Sequence, residues 1–483
     1  MKFVLIVSAL CMVMQTAVAK TLVEKIDSLI EVTKFMRTSQ VGIVVYDLNT
    51  QQELYSRQAD KLFRPASVEK VITSVTALSS LSGDYEIHTR LAYNGEIVDS
   101  TLMGNLYVIG DFDPEFMEND MDEMIRSVSA SGISSVKGKL IGDVSMMDSV
   151  YWGPGWSWDD TPESFQPYYS PLMLNRGCVN VTVSPAANGE RGEVSVRPES
   201  DYYSIDNKSV TMQPKAGGLN ITRQWLTNSN KLIITGNVSR KSGRTVNMFD
   251  SKNMFMTTFR HKLHAKGITL DSDSIYFESV QRGVKHDVAG DSVIACNNEL
   301  TDLCVITRPL RQVLKRALKE SDNLSAEALF YHSARYLKKK HVNLTNKDGQ
   351  EAIDLFLKKE IGADPDDYEI VDGSGVSLYN YISPNLLMGY LKYAYGRQDV
   401  FPLFFDALPV SGVDGTLKYR MYKTSAYRRI HAKTGTVSGI SSLAGYAMHP
   451  DGRKYAFVIM NQNILHSRPA REFQDKVCAL LME

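Results

Sequence analysis

The chain has no surplus of positive charge: 54 Lys and Arg stand against 55 Asp and Glu. Displacing counterions from a phosphate backbone needs such a surplus, so composition does not signal a nucleic-acid partner. Cysteine is scarce. There are five in 483 residues, and none stands in a C-x-x-C or other metal-ligand spacing, so no metal site is expected from them. H-E-x-x-H is absent, and so is any internal repeat or low-complexity tract. Beyond the first twenty residues no apolar run approaches the length of about 20 needed to cross a bilayer, so no transmembrane anchor is expected after processing.

What is present begins at the N-terminus. Lys2 precedes an apolar run from Phe3 to Met14, then Ala17-Val18-Ala19. This is the charged, apolar and small-residue pattern of a secretory signal, predicting cleavage after Ala19 and an exported mature protein. Cys11 would leave with residues 1–19. Cys178, Cys296, Cys304 and Cys478 remain, an even number that permits disulfides, and Cys296 and Cys304 are close enough in sequence to pair.

Length and patterning predict more than one unit. Apolar spacing predicts a helix within Lys20–Met36, then a hairpin over residues 41–56 and a helix from Val68 to Leu81 behind Pro65-Ala66-Ser67. Near the other end, Ile430–Thr436, Ile440–Ala447 and Lys454–Met460 read as strands, the last two joined at Asp451-Gly452. A helix follows over Ala470–Leu481. Two early strands and three late ones predict one antiparallel sheet closed by both ends of the chain. Residues 84–295 differ: short β-like runs are broken by Gly, Asn, Asp and Ser, which predicts a β-rich insertion, two subdomains in number. Helical spacing resumes at Leu310, giving expected helices at 310–319 and 326–337.

Three short constellations carry chemistry. In Ser67-Val68-Glu69-Lys70, positions i and i+3 at a helix start share a face, so an amine reaches a hydroxyl. A serine needs such a base to become a nucleophile, and a lysine acts as one only when its protonated form is disfavoured. Ser321-Asp322-Asn323 lies in a polar break between two helical stretches, where Ser, Asp and Asn also serve as helix caps, with Glu327 a plausible companion. Lys433-Thr434-Gly435-Thr436 lies within an expected strand, where Gly leaves room for another backbone alongside. Each of these alone turns up by chance. Together, in that order and context, they are the signature set of penicillin-binding proteins and serine β-lactamases.

The chain resembles the D-alanyl-D-alanine carboxypeptidase/endopeptidase family of low-molecular-mass penicillin-binding proteins with large insertions. Residues 71–320 separate the first two motifs, where β-lactamases have far fewer. Leu408-Pro409-Val410-Ser411-Gly412-Val413-Asp414-Gly415-Thr416 and Asp372-Gly373-Ser374-Gly375 are similar to family segments, and Gly110-Asp111-Phe112-Asp113-Pro114 is so more loosely. The resemblance implies an α+β fold: a transpeptidase-type domain, an antiparallel sheet flanked by helices, built from residues 20–83 and 296–483 around the 84–295 insertion. It implies Ser67 as nucleophile, Lys70 as base, Ser321 as proton donor to the leaving amine and Asn323 as a substrate ligand. Lys433, Thr434 and Thr436 would hold the terminal carboxylate beside Gly435, and the N–H groups of Ser67 and Thr436 would form the oxyanion hole.

No cofactor is expected. The implied substrates are peptidoglycan stem peptides, the implied inhibitors β-lactams, and the implied location the periplasm. A β-lactamase is less expected, since E-x-x-L-N does not occur between Asn323 and Lys433. A catalytically silent wall-binding protein on the same fold would lack acylation at Ser67. His261-x-x-His264 reads as a surface helix rather than a metal site, and Trp152 with Trp156 as core rather than a sugar platform.

Overall fold

The computed structural model describes residues 20–212, 217–280 and 300–483, and the backbone of a two-stranded ribbon, Arg282–His286 with Ser292–Cys296. The expected signal segment, residues 1–19, lies outside the described residues, as does the side chain of Cys296. Among the described residues, Cys178, Cys304 and Cys478 form no disulfide with one another.

Five antiparallel strands form the sheet that organises the molecule: β1 (Gln40–Asp47), β2 (Gln52–Arg57), β3 (Ile430–Val437), β4 (Ile440–Met448) and β5 (Lys454–Gln462). Their spatial order is β2-β1-β5-β4-β3, so the two ends of the chain meet at the β1–β5 pair, with Val45 opposite Phe457. Successive side chains of a strand point to opposite faces, and here both faces are buried. Val44, Ala456, Val458 and Met460 face one core, and Ile43, Val45, Phe457 and Ile459 the other. The second face is covered by α1 (Leu22–Val32), capped at its start by a reciprocal Thr21–Glu24 pair, and by the C-terminal helix. The first face carries α2 (Lys70–Leu81), α3 (Leu310–Lys319), α4 (Asn323–Leu337) and α5 (Pro384–Gly396). The C-terminal helix, α6, runs from Ser467 to Leu480.

The insertion has two cores of its own. One mixed sheet takes Glu86–Tyr93, Leu106–Ile109, Leu140–Asp143, Ile275–Phe277 and Thr301–Pro309, and helices Glu118–Ala130 and Ser251–Ala265 pack on it. A second core lies between two three-stranded sheets centred on Cys178–Ser184 and Lys231–Asn237. Two features differ from expectation. The insertion holds two full helices, and Thr301–Pro309 pairs with Glu86–Tyr93, so the chain rejoins the main sheet's helices at Leu310 rather than at residue 296. Among the described residues no helix is long and apolar enough to cross a membrane.

Phe457 is fully buried where α1 and α6 cover the sheet. Phe457→Ala is expected to cost about 3–5 kcal/mol, read as a lower midpoint in a guanidinium titration. An unchanged midpoint would contradict the two-sided core.

Candidate active site

Ser67 does not sit on α2 itself but on the 3-10 turn Ala66–Glu69 that feeds it. Ala66 adopts φ 51°, a left-handed conformation that costs a non-glycine residue energy and that turns Ser67 outward. The first residue of α2 is Lys70, and its amine is fully buried. Lys70 Nζ lies 2.9 Å from Ser67 Oγ, 2.7 Å from Asn323 Oδ1 and 2.7 Å from the Ser374 carbonyl oxygen. A neutral amine has two N–H groups and one lone pair. The two carbonyl-type oxygens accept the N–H groups, which leaves the lone pair facing the serine hydroxyl. Burial lowers the lysine to about 8, against the pull of Asp372 and Glu327.

Beneath the lysine lie three carboxyl groups. Asp372 accepts from the Trp156 indole N–H (2.8 Å), the Ser374 hydroxyl (3.1 Å), the Gly375 and Ser377 amides (2.8 and 2.9 Å) and the Asn380 amide (2.8 Å). Glu69 has no donor for either oxygen, although it is fully buried. Burial first, then Asp372 and Glu327, push its carboxyl well above the usual range. Glu327 accepts from the Gly373 amide (3.2 Å) and is pushed up to about 8 by burial and Asp372. Burial thus favours the neutral acid forms of Glu69 and Glu327, while Asp372 is the carboxyl of the three that is supplied with donors.

Ser321-Asp322-Asn323 divides its labour. Asp322 caps α4, accepting from the Ser325 amide (2.8 Å) and hydroxyl (2.7 Å), so Ser325 rather than Glu327 is the cap's companion. Ser321, at φ 60°, and Asn323 turn the other way, into the site. Ser321 Oγ accepts from Lys433 Nζ at 2.7 Å, and Asn323 Nδ2 donates to the Phe165 carbonyl at 2.7 Å. Lys433 is also fully buried, and burial with the nearby Lys70 lowers it well below the ordinary lysine range.

The strand bearing Lys433, β3, is the edge of the main sheet. Residues 408–411 cover its first half, through Ser411 N to Ile430 O (2.9 Å) and Ala432 N to Pro409 O (3.0 Å). The covering ends there, and from Lys433 onward the edge turns to the Ser67 turn, where an extended peptide can pair with it. Gly435 makes that approach possible: a Cβ there would stand 2.9 Å from the Pro65 carbonyl and 3.0 Å from the Ser67 amide. The flagged segment ahead of the strand also reaches the site, since Thr434 Oγ1 donates to Thr416 Oγ1 at 2.8 Å. Ser67, Ser321, Thr416, Thr434 and Thr436 line one cleft of about 530 Å³, which continues to Tyr419, Arg420 and the start of α6.

All eight residues expected from the motifs meet in this region. Sequence reasoning missed the supports: the Ser374 carbonyl, Asp372, and Trp156, whose indole pins Asp372 from the insertion. Asp372-Gly373-Ser374-Gly375 had been marked by resemblance, but nothing in its spacing shows that a backbone carbonyl there would hold the lysine. His261 and His264 lie on the insertion's helix and face Asp201 (3.2 Å) and Asp273 (3.0 Å) respectively.

A cleft serine hydrogen-bonded to a buried lysine, a cap that presents a second serine, and a K-T-G strand on the sheet edge define the penicillin-binding class of serine acyl-transfer folds. The pattern of the D-Ala-D-Ala carboxypeptidase 3 (S13) family matches residues 22–483, and the chain belongs to that family of serine peptidases. It is similar to the D-alanyl-D-alanine carboxypeptidase of Actinomadura sp. strain R39, 30% identical over 95% of this chain and 84% of that one. It is also similar to D-alanyl-D-alanine carboxypeptidase DacB of Haemophilus influenzae, 24% identical over 88% and 86%. The crystal structure of penicillin binding protein 4 (dacB) from H. influenzae superposes with a TM-score of 0.78, at 22% identity, covering 95% of this chain and 99% of that one.

Gly435→Ala forces the strand and the serine turn apart. Acylation by a β-lactam is expected to slow about 10²-fold while far-UV circular dichroism stays unchanged. A rate within a factor of two of the parent would show that the turn tolerates displacement.

Proposed function

We propose that the protein cleaves D-alanyl-D-alanine bonds of peptidoglycan stem peptides through an acyl-enzyme on Ser67. The observation that carries this reading is the fully buried Lys70 amine 2.9 Å from Ser67 Oγ, with the Asn323 and Ser374 carbonyl oxygens placed to take two N–H groups of its neutral form. Ser67 Oγ attacks the carbonyl carbon of the penultimate D-alanine as its proton passes to Lys70 Nζ. The oxyanion is received by the amides of Ser67 and Thr436, a role supported by the close approach of Gly435 to the Ser67 amide. The C–N bond then breaks as the departing amine takes a proton from Ser321, held by Lys433, and the proton that Lys70 took restores the Ser321 hydroxyl and frees Lys70. Water attacks the ester, frees the acyl product and restores the Ser67 hydroxyl.

Asn323 holds the acyl strand, and Lys433, Thr434 and Thr436 hold the terminal carboxylate. A bound carboxylate also restores the charge that burial takes from Lys433. Trimming of a terminal D-alanine and cleavage of a cross-link both fit this chemistry, and β-lactams would acylate the same serine. Residues 1–19 support export, with the periplasm as the place where such substrates occur.

Intact-mass analysis after benzylpenicillin should give one adduct that persists and is lost in Ser67→Ala. No adduct on the parent would sink the acyl-enzyme, and rapid destruction of the drug would make the protein a β-lactamase. The acylation rate constant should rise with pH and level off above about 8, since protonation of Lys70 removes the lone pair. A profile flat from pH 6 to 9 would exclude Lys70 as the base.

A further inference from the structure

The cleft does not end at the threonines that would hold a terminal carboxylate. Past Thr434 and Thr416 it runs on to Tyr419, Arg420 and Arg471, and its total of about 530 Å³ falls in the range that takes drug-sized ligands rather than one alanine. The arginines there are not alike. Arg420 is fixed by Asp475 (2.7 Å), Gln474 Oε1 (3.0 Å) and the Arg471 carbonyl (3.2 Å), so its charge is answered from within the fold. Arg468 pairs with Glu472 at 2.9 Å one turn along α6. Arg471 has no carboxylate partner among the described residues, and its guanidinium donates to Ser467 Oγ alone, at 3.1 Å. A fork of five N–H donors thus faces the cleft with most of them unused by the protein.

We infer that this end of the cleft is a subsite for a second peptide strand, and that Arg471 binds a carboxylate on it. The inference rests on the reaction proposed above. When a terminal D-alanine leaves, its one carboxylate is already matched by Lys433 and the threonines, and nothing remains for Arg471. When a cross-link is cut, the leaving amine belongs to another stem peptide, which carries further carboxylates and is long enough to reach α6. Arg471 is therefore a specificity-determining residue that favours cleavage of cross-links over trimming of single strands. No step of the chemistry changes: the same acyl-enzyme forms, and only the group that departs differs.

The test compares kcat/KM for a cross-linked muropeptide dimer with that for an uncross-linked pentapeptide ending in D-alanyl-D-alanine, using the full chain. In Arg471→Ala the dimer-to-monomer ratio is expected to fall about 5- to 10-fold, mainly through KM for the dimer. Arg471→Glu should lower it further and Arg471→Lys should restore part of it. Added salt should reduce the parent's ratio, because the contact is solvent-exposed. Benzylpenicillin acylation of each variant reports whether the Ser67 centre is intact. A ratio that does not move in Arg471→Ala and Arg471→Glu overturns the subsite, as does a parent that acylates and trims the monomer but cuts no dimer. A parent inert to all three substrates would instead overturn the proposed reaction, and the subsite with it.

Discussion

Everything in the catalytic region is arranged around one buried amine. Water would keep Lys70 protonated, and a protonated lysine cannot accept the Ser67 proton. Its removal from water favours the neutral form that the proposed base requires, and that removal has a condition: the two N–H groups must still be satisfied. Asn323 and the Ser374 carbonyl meet the condition from two separate elements. The 372–375 loop must then be held rigidly, and the donors converging on Asp372 do that. One of them, Trp156, comes from the insertion, so the added domains brace the centre as well as surround it.

The same demand explains the local strain. Ala66 and Ser321 both hold left-handed backbone conformations without being glycine. Such conformations persist where the surroundings over-determine them. Ala66 is buried beside the loop, with Gly375 so close that a Cβ there would meet the Ala66 carbonyl at 2.1 Å. Ser321 sits between the end of α3 and the Asp322 cap. In both cases the strained residue aims a serine hydroxyl at a lysine.

Much of the main sheet was legible in the sequence because its signals are local. The continuous apolar run of β1, the Asp451-Gly452 turn and the helical spacing of Val68–Leu81 need no knowledge of distant residues. The motif residues were legible for the same reason, through short fixed spacings. The supports were not. Trp156 and Asp372 are far apart in the chain, and a carbonyl has no sequence signature. The insertion's helix Glu118–Ala130 was readable in principle, since Met121, Met124, Ile125 and Val128 follow helical spacing, but polar neighbours dilute the pattern. Glu69 shows the opposite limit: it follows Val68 in an ordinary stretch, yet its complete burial, which the sequence does not show, pushes its carboxyl well above the usual range.

The topology of the main sheet also sets a timetable. Strand β1 finds its main partner, β5, only near the end of the chain, and the serine turn finds Gly435 at nearly the same moment. Contacts of such long sequence separation form slowly. The nucleophile and its base emerge early in synthesis, but the edge strand that would seat a substrate is among the last segments made. A chain still leaving the ribosome therefore carries Ser67 and Lys70 without the groove. The fold thus delays activity until the whole polypeptide has arrived, with no pro-segment needed to silence it.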